Sequence, residues 1–203
     1  MLFKVGQIGQ VSSGRVKSSK SRPRAAYFHG KIMRINLGNC VIRSFKNSDA
    51  ASIAKNANDR EVWINLRNRF PHPYTRQHAE EWVELAMSLS PETNFAIVVD
   101  GEVAGGIGIM QQSDVHAKSA EFGYWLGRNY WGRGIMTEVV REMSEYYLSN
   151  FDIVRLYAAV FDWNKASARV LEKCGWEYEG RMKMSIFKDG KYCDQLIYAR
   201  LKK

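Results

Sequence analysis

The sequence predicts an α/β (α+β) domain built on a mixed sheet. Short apolar runs bounded by turn residues indicate strands, and longer stretches with apolar residues three or four positions apart indicate helices. The predicted order is β-α-α-α-β-β-β-α-β-α-β-β, without internal repeats. This interleaving is typical of helices packed against the faces of one sheet.

The first half of the chain predicts one strand, three helices and a hairpin. Ser48 offers an N-cap to the first helix, and Thr75 offers one to the third, after the two prolines of FPHPYT. Asp100-Gly101 favours a tight turn between two strands. The apolar stripe of the third helix consists of Ala79, Trp82, Val83 and Met87. The predicted ranges are a strand at 39–45, helices near 48–54, 61–66 and 75–87, and strands at 95–99 and 103–110.

The second half predicts a glycine turn and a second hairpin. An aromatic-rich strand at 120–126 leads to two glycines, and a helix of about three turns follows them. Asn164 begins another helix, which Gly175 ends as the residue after its C-cap. The apolar face of the helix after the glycines contains Ile135, Val139, Val140, Met143, Tyr146 and Tyr147. The remaining strands span 153–160, 178–187 and 192–201, the last two joined around Lys188-Asp189-Gly190.

Composition argues against several classes of protein. At 203 residues, 45% of them hydrophobic, the chain is long enough to bury the core of one domain. No apolar run approaches the roughly 20 residues of a membrane span. Cys40, Cys174 and Cys193 are odd in number and far apart, and match neither a disulfide framework nor a metal site. We therefore expect a cytoplasmic protein with no metal and no membrane association.

The basic charge of the chain is concentrated at its N-terminus. The formal net charge is +9, and residues 1–32 contain seven Lys or Arg and no acid, which leaves +2 for the rest. We expect residues 1–32 to form a basic, flexible extension and residues 33–203 to form a single domain. Three interpretations of the extension stay open: a transit peptide, a nucleic-acid arm, or upstream sequence before a natural start at Met33.

The stretch NYWGRGIMT places Gly132 and Gly134 between a predicted strand and a predicted helix. A dinucleotide fingerprint would need a third glycine at Thr137, and the Lys-Ser/Thr of a P-loop is absent. A helix N-terminus with two glycines is suited to a phosphate or pyrophosphate, because its first N–H groups and its dipole both attract anions. The alternative is that the glycines only allow tight strand–helix packing.

Three longer motifs carry a resemblance to a known family. AEFGYWLGRNYWGRGIMTEVV, NKASARVLEKCGW and DGKYCDQLIYARL resemble the GNAT superfamily of N-acetyltransferases, most closely the bacterial ribosomal-protein N-terminal (Rim-type) branch. The resemblance extends from about residue 41 to 201. It implies a mixed, mostly antiparallel sheet of about seven strands, splayed in the middle and flanked by about four helices.

The resemblance implies acetyl-CoA as co-substrate, with its pyrophosphate on the glycine turn and its pantetheine arm along the preceding strand. Asn129 stands where the family usually has Gln or Arg, so only backbone donors carry over there. Plain N-capping by Asn164 and solvent exposure of Arg169 are the open alternatives for those two residues. The residues assigned to acetyl-CoA are Trp125, Leu126, Gly132, Arg133, Gly134, Ile135, Met136, Thr137, Asn164, Ser167 and Arg169.

Two residues are candidates for the chemistry. Glu121 occupies a strand position where many GNAT enzymes carry a catalytic glutamate, and it would act as the base directly or through a water. Its alternative is a structural carboxylate paired with a nearby base or tyrosine. Ser167 would assist the departing thiolate. A second glutamate of the Rim-type branch is replaced by Ile186, and His116 and His72 are reserve candidates for the base.

The acceptor is predicted to be a primary amine. An α-amine of pKa about 7.7–8.0 is more readily neutral at pH 7 than a lysine amine near 10.4, which favours a protein or peptide N-terminus. Alternatives are a small amine (polyamine, amino acid or antibiotic) or a non-catalytic CoA-binding or nucleic-acid-associated protein, which the near-neutral domain charge disfavours. A homodimer is compatible with the sequence. Phe70, His72 and Tyr74 either line the acceptor cleft or belong to a stiff helix connector.

Overall fold

The computed structural model describes residues 33–203, which form a mixed eight-stranded sheet flanked by five α-helices. The extension at 1–32, predicted to be flexible, lies outside the described residues. The strands are β1 (Arg34–Asn36), β2 (Val41–Arg43), β3 (Asn94–Val99), β4 (Glu102–Gln111), β5 (Ser119–Leu126), β6 (Arg155–Phe161), β7 (Glu177–Lys188) and β8 (Lys191–Leu201). The helices are α1 (Ala50–Ala57), α2 (Arg60–Trp63), α3 (Arg76–Ser88), α4 (Ile135–Asn150) and α5 (Lys165–Lys173).

The sheet opens between its two central strands. Its order is β1-β2-β3-β4-β5-β6-β8-β7, and every neighbouring pair is antiparallel except β5 and β6. These two parallel strands are in register only from Ser119–Arg155 to Glu121–Tyr157. Beyond Glu121 they diverge, so the splay expected in the middle of the sheet is present.

Hydrophobic side chains cover both faces of the sheet. One cluster joins β5 to α4 and α5 and includes Phe122, Leu126 and Tyr147, while Phe45 and Val83 belong to a second cluster that packs α1 and α3 on the sheet. Because side chains alternate along a strand, β5 contributes Phe122 and Leu126 to the first cluster and Trp125 to the second. Strand β5 therefore presents functional groups to both faces.

Two glycines of β4 let Trp125 lie close to the neighbouring strand. A Cβ at Gly105 would lie 2.3 Å from the backbone oxygen of Trp125, and a Cβ at Gly106 would lie 2.9 Å from its indole Nε1. Larger residues at either position would displace Trp125, so these glycines set the path of β5 beside the opening.

The structure has one more strand than expected. The strand predicted at 39–45 is present as β2, and the additional strand β1 precedes it, before a bend at 38–39. The helix predicted near 61–66 is present as α2, a single turn that the side chain of Asp59 caps by accepting hydrogen bonds from two backbone N–H groups. Elements this short carry too little periodicity to be counted reliably from sequence.

Local capping was predicted correctly at three of four positions. The Thr75 hydroxyl accepts a hydrogen bond from the N–H of His78, Asn164 caps α5, and Gly175 has a φ of 74°. The prediction for Ser48 is wrong, because it lies within a 3₁₀ turn and Asp49 is the residue before α1. Met87 was also misplaced in the core, since it is half exposed and Ala86 is buried instead.

Candidate active site

The N-terminus of α4 faces open space. Gly132 and Gly134 have φ values of 74° and 77°, a left-handed conformation that favours glycine, and Gly134 is the N-cap. A Cβ built on either residue would meet no atom of the described part of the chain within 4 Å. Tight packing therefore does not explain these glycines, whereas the turn they form exposes the first N–H groups of a 16-residue helix.

A cavity of about 700 Å³ occupies the opening between β5 and β6. Its walls come from β5, the glycine turn, the end of β6 and the start of α5, so the splay brings together segments that are far apart in sequence. All of the residues predicted to bind acetyl-CoA line it, as does Glu121. The predicted lining residues are Trp125, Leu126, Gly132, Arg133, Gly134, Ile135, Met136, Thr137, Asn164, Ser167 and Arg169.

The start of α5 is fixed by its own cap. The side-chain oxygen of Asn164 accepts a hydrogen bond of 3.1 Å from the N–H of Ser167, so the capping role left open for Asn164 is present. Arg169 is exposed on the rim of the cavity. This capped turn holds the Ser167 hydroxyl toward β5.

The hydroxyl of Tyr124 contacts Ser167, a pairing that sequence reasoning missed. The two hydroxyl oxygens are 2.8 Å apart, and the tyrosine oxygen is also 3.3 Å from the backbone oxygen of Ser167. Burial raises the pKa of Tyr124, so this side chain stays protonated at neutral pH. Only the alternation of β5, which sends Tyr124 to the α5 side of the sheet, could have indicated it.

Glu121 lies on the cavity wall with a bound counterion. It is 9% exposed, and its carboxylate pairs with the guanidinium of Arg67, which follows α2 and lines the same cavity. Tyr157 is close to both charges: burial, then Glu121, raise the pKa of this tyrosine, and Arg67 lowers it. The paired-carboxylate arrangement left open for Glu121 is therefore present. The motifs that revealed Glu121 contain no signal for Arg67.

The predicted acceptor loop lies behind the cavity. Phe70 and Tyr74 are buried with ring centroids 4.7 Å apart, Phe70 also contacts Trp125 at 5.8 Å, and His72 stacks on Trp63 at 5.5 Å. None of the three predicted residues lines the cavity, and the loop acts as a packed helix connector. Side chains from neighbouring segments line the cavity on this side: Val62, Asn65, Leu66, Arg67 and Trp82.

The reserve candidates for the base are also placed away from the cavity. His116 is exposed in a 3₁₀ turn. Ile186, which stands where the Rim-type branch has its second glutamate and was not a candidate itself, is half-buried on β7. Within residues 33–203 no three His, Cys, Asp or Glu side chains form a group that could hold a metal ion. No helix in the same range is both long and apolar enough to traverse a bilayer.

The family of the chain follows from a sequence match. The sequence model of the family described as the acetyltransferase (GNAT) domain matches residues 39–177. The match covers well over half of the 203-residue chain and includes the glycine turn, Glu121 and Ser167. The chain therefore belongs to the GNAT acetyltransferase family. It is an N-acetyltransferase that uses acetyl-CoA as the acetyl donor for an amine.

Individual relatives are distant. The chain is 28% identical over 163 residues to the L-amino acid N-acetyltransferase AaaT of Escherichia coli strain K12, covering 80% of this chain and 98% of that protein. It is 28% identical over 171 residues to the uncharacterized N-acetyltransferase p20 of Bacillus licheniformis, covering 80% and 93%.

A solved structure shares the fold. The ribosomal L7/L12 alpha-N-protein acetyltransferase RimL, in complex with coenzyme A, superposes with a TM-score of 0.73 at 22% identity. The match covers 84% of this chain and 98% of RimL. At this identity the likeness shows the fold.

Proposed function

We propose that this enzyme acetylates an α-amine, most directly the N-terminus of a protein or peptide. The observation that carries the proposal is the cavity between β5 and β6, which has the open N-terminus of α4 along one wall and Glu121 along another. Anion-binding groups and a carboxylate thus border one space, as a transfer from a phosphate-bearing donor to an amine requires.

The donor would occupy the α4 side of the cavity. The pyrophosphate of acetyl-CoA would accept hydrogen bonds from backbone N–H groups between Gly132 and Thr137, since the open left-handed turn leaves room for close approach. The pantetheine arm would run along Trp125 and Leu126, whose edge of β5 pairs with no other strand on the β6 side within residues 33–203. An amide-bearing arm can satisfy such backbone groups as an added strand would.

The reaction forms a C–N bond and breaks a C–S bond. The neutral amine attacks the thioester carbonyl, and backbone N–H groups from Tyr124 to Leu126 would donate hydrogen bonds to the oxyanion. The amine proton passes to Glu121, directly or through one water. The electron pair of the broken bond stays on sulfur, and the Ser167 hydroxyl stabilises the thiolate that leaves.

The acceptor assignment rests on how little the site must do to neutralise an α-amine. On the order of a tenth of an α-amine is already neutral at pH 7, compared with well under a per cent of a lysine amine. The carboxylate of Glu121 is already paired with Arg67. The site is therefore better suited to an amine that needs little help to lose its proton. Two of the similar proteins are named for α-amine acceptors, a ribosomal protein for RimL and L-amino acids for AaaT.

Release of CoA with matched acceptors tests the proposal. One peptide carries a free N-terminus and no lysine, and a second has the same sequence with a blocked N-terminus and one lysine. A free L-amino acid and spermidine complete the panel. We expect turnover with the first peptide, or with the amino acid if the acceptor is small. Turnover confined to the lysine peptide or to spermidine would refute the α-amine assignment.

The same proposal covers location and partners. Cys40, Cys174 and Cys193 are buried free thiols, which suits a reducing, cytoplasmic compartment. The net charge of +2 outside residues 1–32 gives the domain no electrostatic basis for binding nucleic acid.

A further inference from the structure

Two hydroxyl groups meet on the α5 side of the opening. The Tyr124 oxygen is 2.8 Å from Ser167 Oγ, and Asn164 fixes the same turn through the N–H of Ser167. Tyrosine and serine are 43 positions apart in the chain, and they touch only because β5 diverges from β6 beside the start of α5. Both side chains line the cavity.

The alternation of β5 separates this pair from the carboxylate. Glu121 and Trp125 point to the face that carries Arg67 and α3, whereas Tyr124 packs with the cluster of α4 and α5. One strand therefore presents a proton acceptor on one face and a hydroxyl pair on the other.

We propose that Tyr124 is a positioning residue for the leaving group. Its single O–H proton faces two oxygens of Ser167, and in this proposal it is donated to Oγ at 2.8 Å, the shorter contact, rather than to the backbone oxygen at 3.3 Å. The serine proton is then directed at the sulfur of the departing CoA. This inference rests on the proposed function, in which Ser167 lies beside the thiolate.

The hydroxyl pair stabilises the thiolate without transferring a proton. When the C–S bond breaks, sulfur keeps the electron pair and accepts a hydrogen bond from Ser167, and CoA takes up a proton from water after its release. A relay through Tyr124 would leave a buried phenolate, which the raised pKa of this side chain disfavours. Hydrogen bonds to charged groups are stronger than those between neutral groups, so orienting the serine proton strengthens the contact that matters.

Removal of the tyrosine hydroxyl tests the inference kinetically. We expect Tyr124→Phe to lower kcat about tenfold with the KM for acetyl-CoA unchanged. Ser167→Ala should lower kcat by at least as much, and the double variant should be no slower than Ser167→Ala, because both changes remove one unit. Fully additive losses in the double variant would contradict the pairing.

Tyr198→Phe is a matched control. The Tyr198 hydroxyl also bonds to α5, at 2.9 Å from Glu172 Oε1, and this tyrosine is buried on β8 without lining the cavity. Its loss removes a comparable contact with the same helix, so it should leave kcat unchanged. An equal fall in kcat for both phenylalanine variants would assign Tyr124 a purely structural role.

The thiol of bound CoA provides a readout that needs no acceptor. Thiolate absorbance of the enzyme–CoA complex should give a thiol pKa below that of free CoA, and Tyr124→Phe should raise it by about one unit. An unchanged thiol pKa in this variant would overturn the inference. Calorimetry of CoA binding separates the two failures, since a wild-type protein that does not bind CoA would refute the proposed donor site instead.

Discussion

Glu121 lies on the cavity wall and forms an ion pair with Arg67. The Arg67 guanidinium holds the carboxylate in place, and the small exposed fraction limits competition from water. A charge that is both buried and paired is costly to leave without its partner. The pair therefore fixes the carboxylate where the proposed acceptor amine would lose its proton.

Glu121→Gln separates the basic from the structural role of this residue. Glutamine keeps the shape and removes the proton acceptor, so kcat/KM should fall by about 10²–10⁴ at pH 7. The loss should shrink as the pH rises, because more of the amine is then already neutral. CoA affinity, measured by calorimetry, should hardly change.

Glu179→Gln is the matched control for that variant. Glu179 is also paired with an arginine, Arg155, but it lies on the exposed edge strand β7 and does not line the cavity. We expect wild-type kinetics from it. A Glu121→Gln enzyme within about threefold of wild type would reduce Glu121 to a structural carboxylate.

The residue contacts at this site could be predicted only in part. Glu121, Ser167 and the glycine turn stand in local motifs, and all of them line the cavity. Arg67 is 54 positions from Glu121 in the chain. No local sequence pattern can predict this ion pair, because only the fold brings the two residues together. The acceptor loop was interpreted from its aromatics, which pack inward because large apolar rings are stabilised by burial.

Among the elements, α4 makes a sharp prediction about the donor. Gly134→Val places a branched side chain in a left-handed conformation at the proposed pyrophosphate site, so CoA affinity should fall at least about tenfold. Calorimetry measures the affinity, and circular dichroism checks the fold.

The control for Gly134→Val is Gly190→Val. Gly190 has a φ of 75° and, like Gly134, no atom within 4 Å of a built Cβ, but it lies in the β7–β8 turn. It carries the same backbone strain away from the cavity, so CoA binding should be retained. Equal loss of affinity in both variants would mean that strain, and not the donor site, is responsible.

The tip of the β7–β8 hairpin is attached to α2 by an unusual lysine. Lys188 is 1% exposed, its ammonium lies 3.6 Å from the ring centroid of Trp63, and its Nζ has no hydrogen-bond partner within the described residues. An ion pair of 2.6 Å between Arg60 and Asp189 supports the same junction. Burial lowers the pKa of Lys188 to about 8, and the negative charge of Asp189 partly offsets this effect.

Lys188 should make stability depend on pH. Between about pH 8 and 10.5 the unfolded chain binds a proton that the folded chain does not, so stability rises with pH across this window. Lys188→Met removes that pH-dependent contribution. The urea midpoint of the wild type should therefore rise relative to that of the variant as the pH increases across this window. Lys191→Met, at the exposed position opposite in the hairpin, should show the wild-type dependence. Parallel pH profiles for wild type and Lys188→Met would contradict this prediction.

Most elements could be predicted because their signals are local. Capping residues in the sequence indicate helices α3 and α5, and glycines that adopt positive φ indicate the hairpin turns. The one strand that was missed, β1, is three residues long, and the helix predicted near 61–66 is reduced to the four residues of α2. Such short elements are stabilised by neighbours in the fold rather than by their own pattern.

At the scale of the whole molecule, the domain should function without residues 1–32. Met33 is buried, its N–H lies 3.2 Å from the Ser44 hydroxyl, and within the described residues 33–203 the cavity is lined from residue 62 onward. Deletion of 1–32 should therefore leave kcat/KM for acetyl-CoA nearly unchanged in a CoA-release assay. A several-fold fall would show that the extension belongs to the site.

The opening between β5 and β6 also determines how reactants reach each other. Residues from both faces of the sheet line it, among them Trp82 and Arg67 on one side and Ser167 and Val170 on the other. A gap of this kind can be reached from both faces of the sheet, which an unbroken sheet would keep separate. In the proposed arrangement, acetyl-CoA and the amine approach from opposite directions, and neither has to dissociate to admit the other. The reaction would then take place in a ternary complex of enzyme, acetyl-CoA and amine. The acetylated product and free CoA would leave this complex from opposite faces of the sheet.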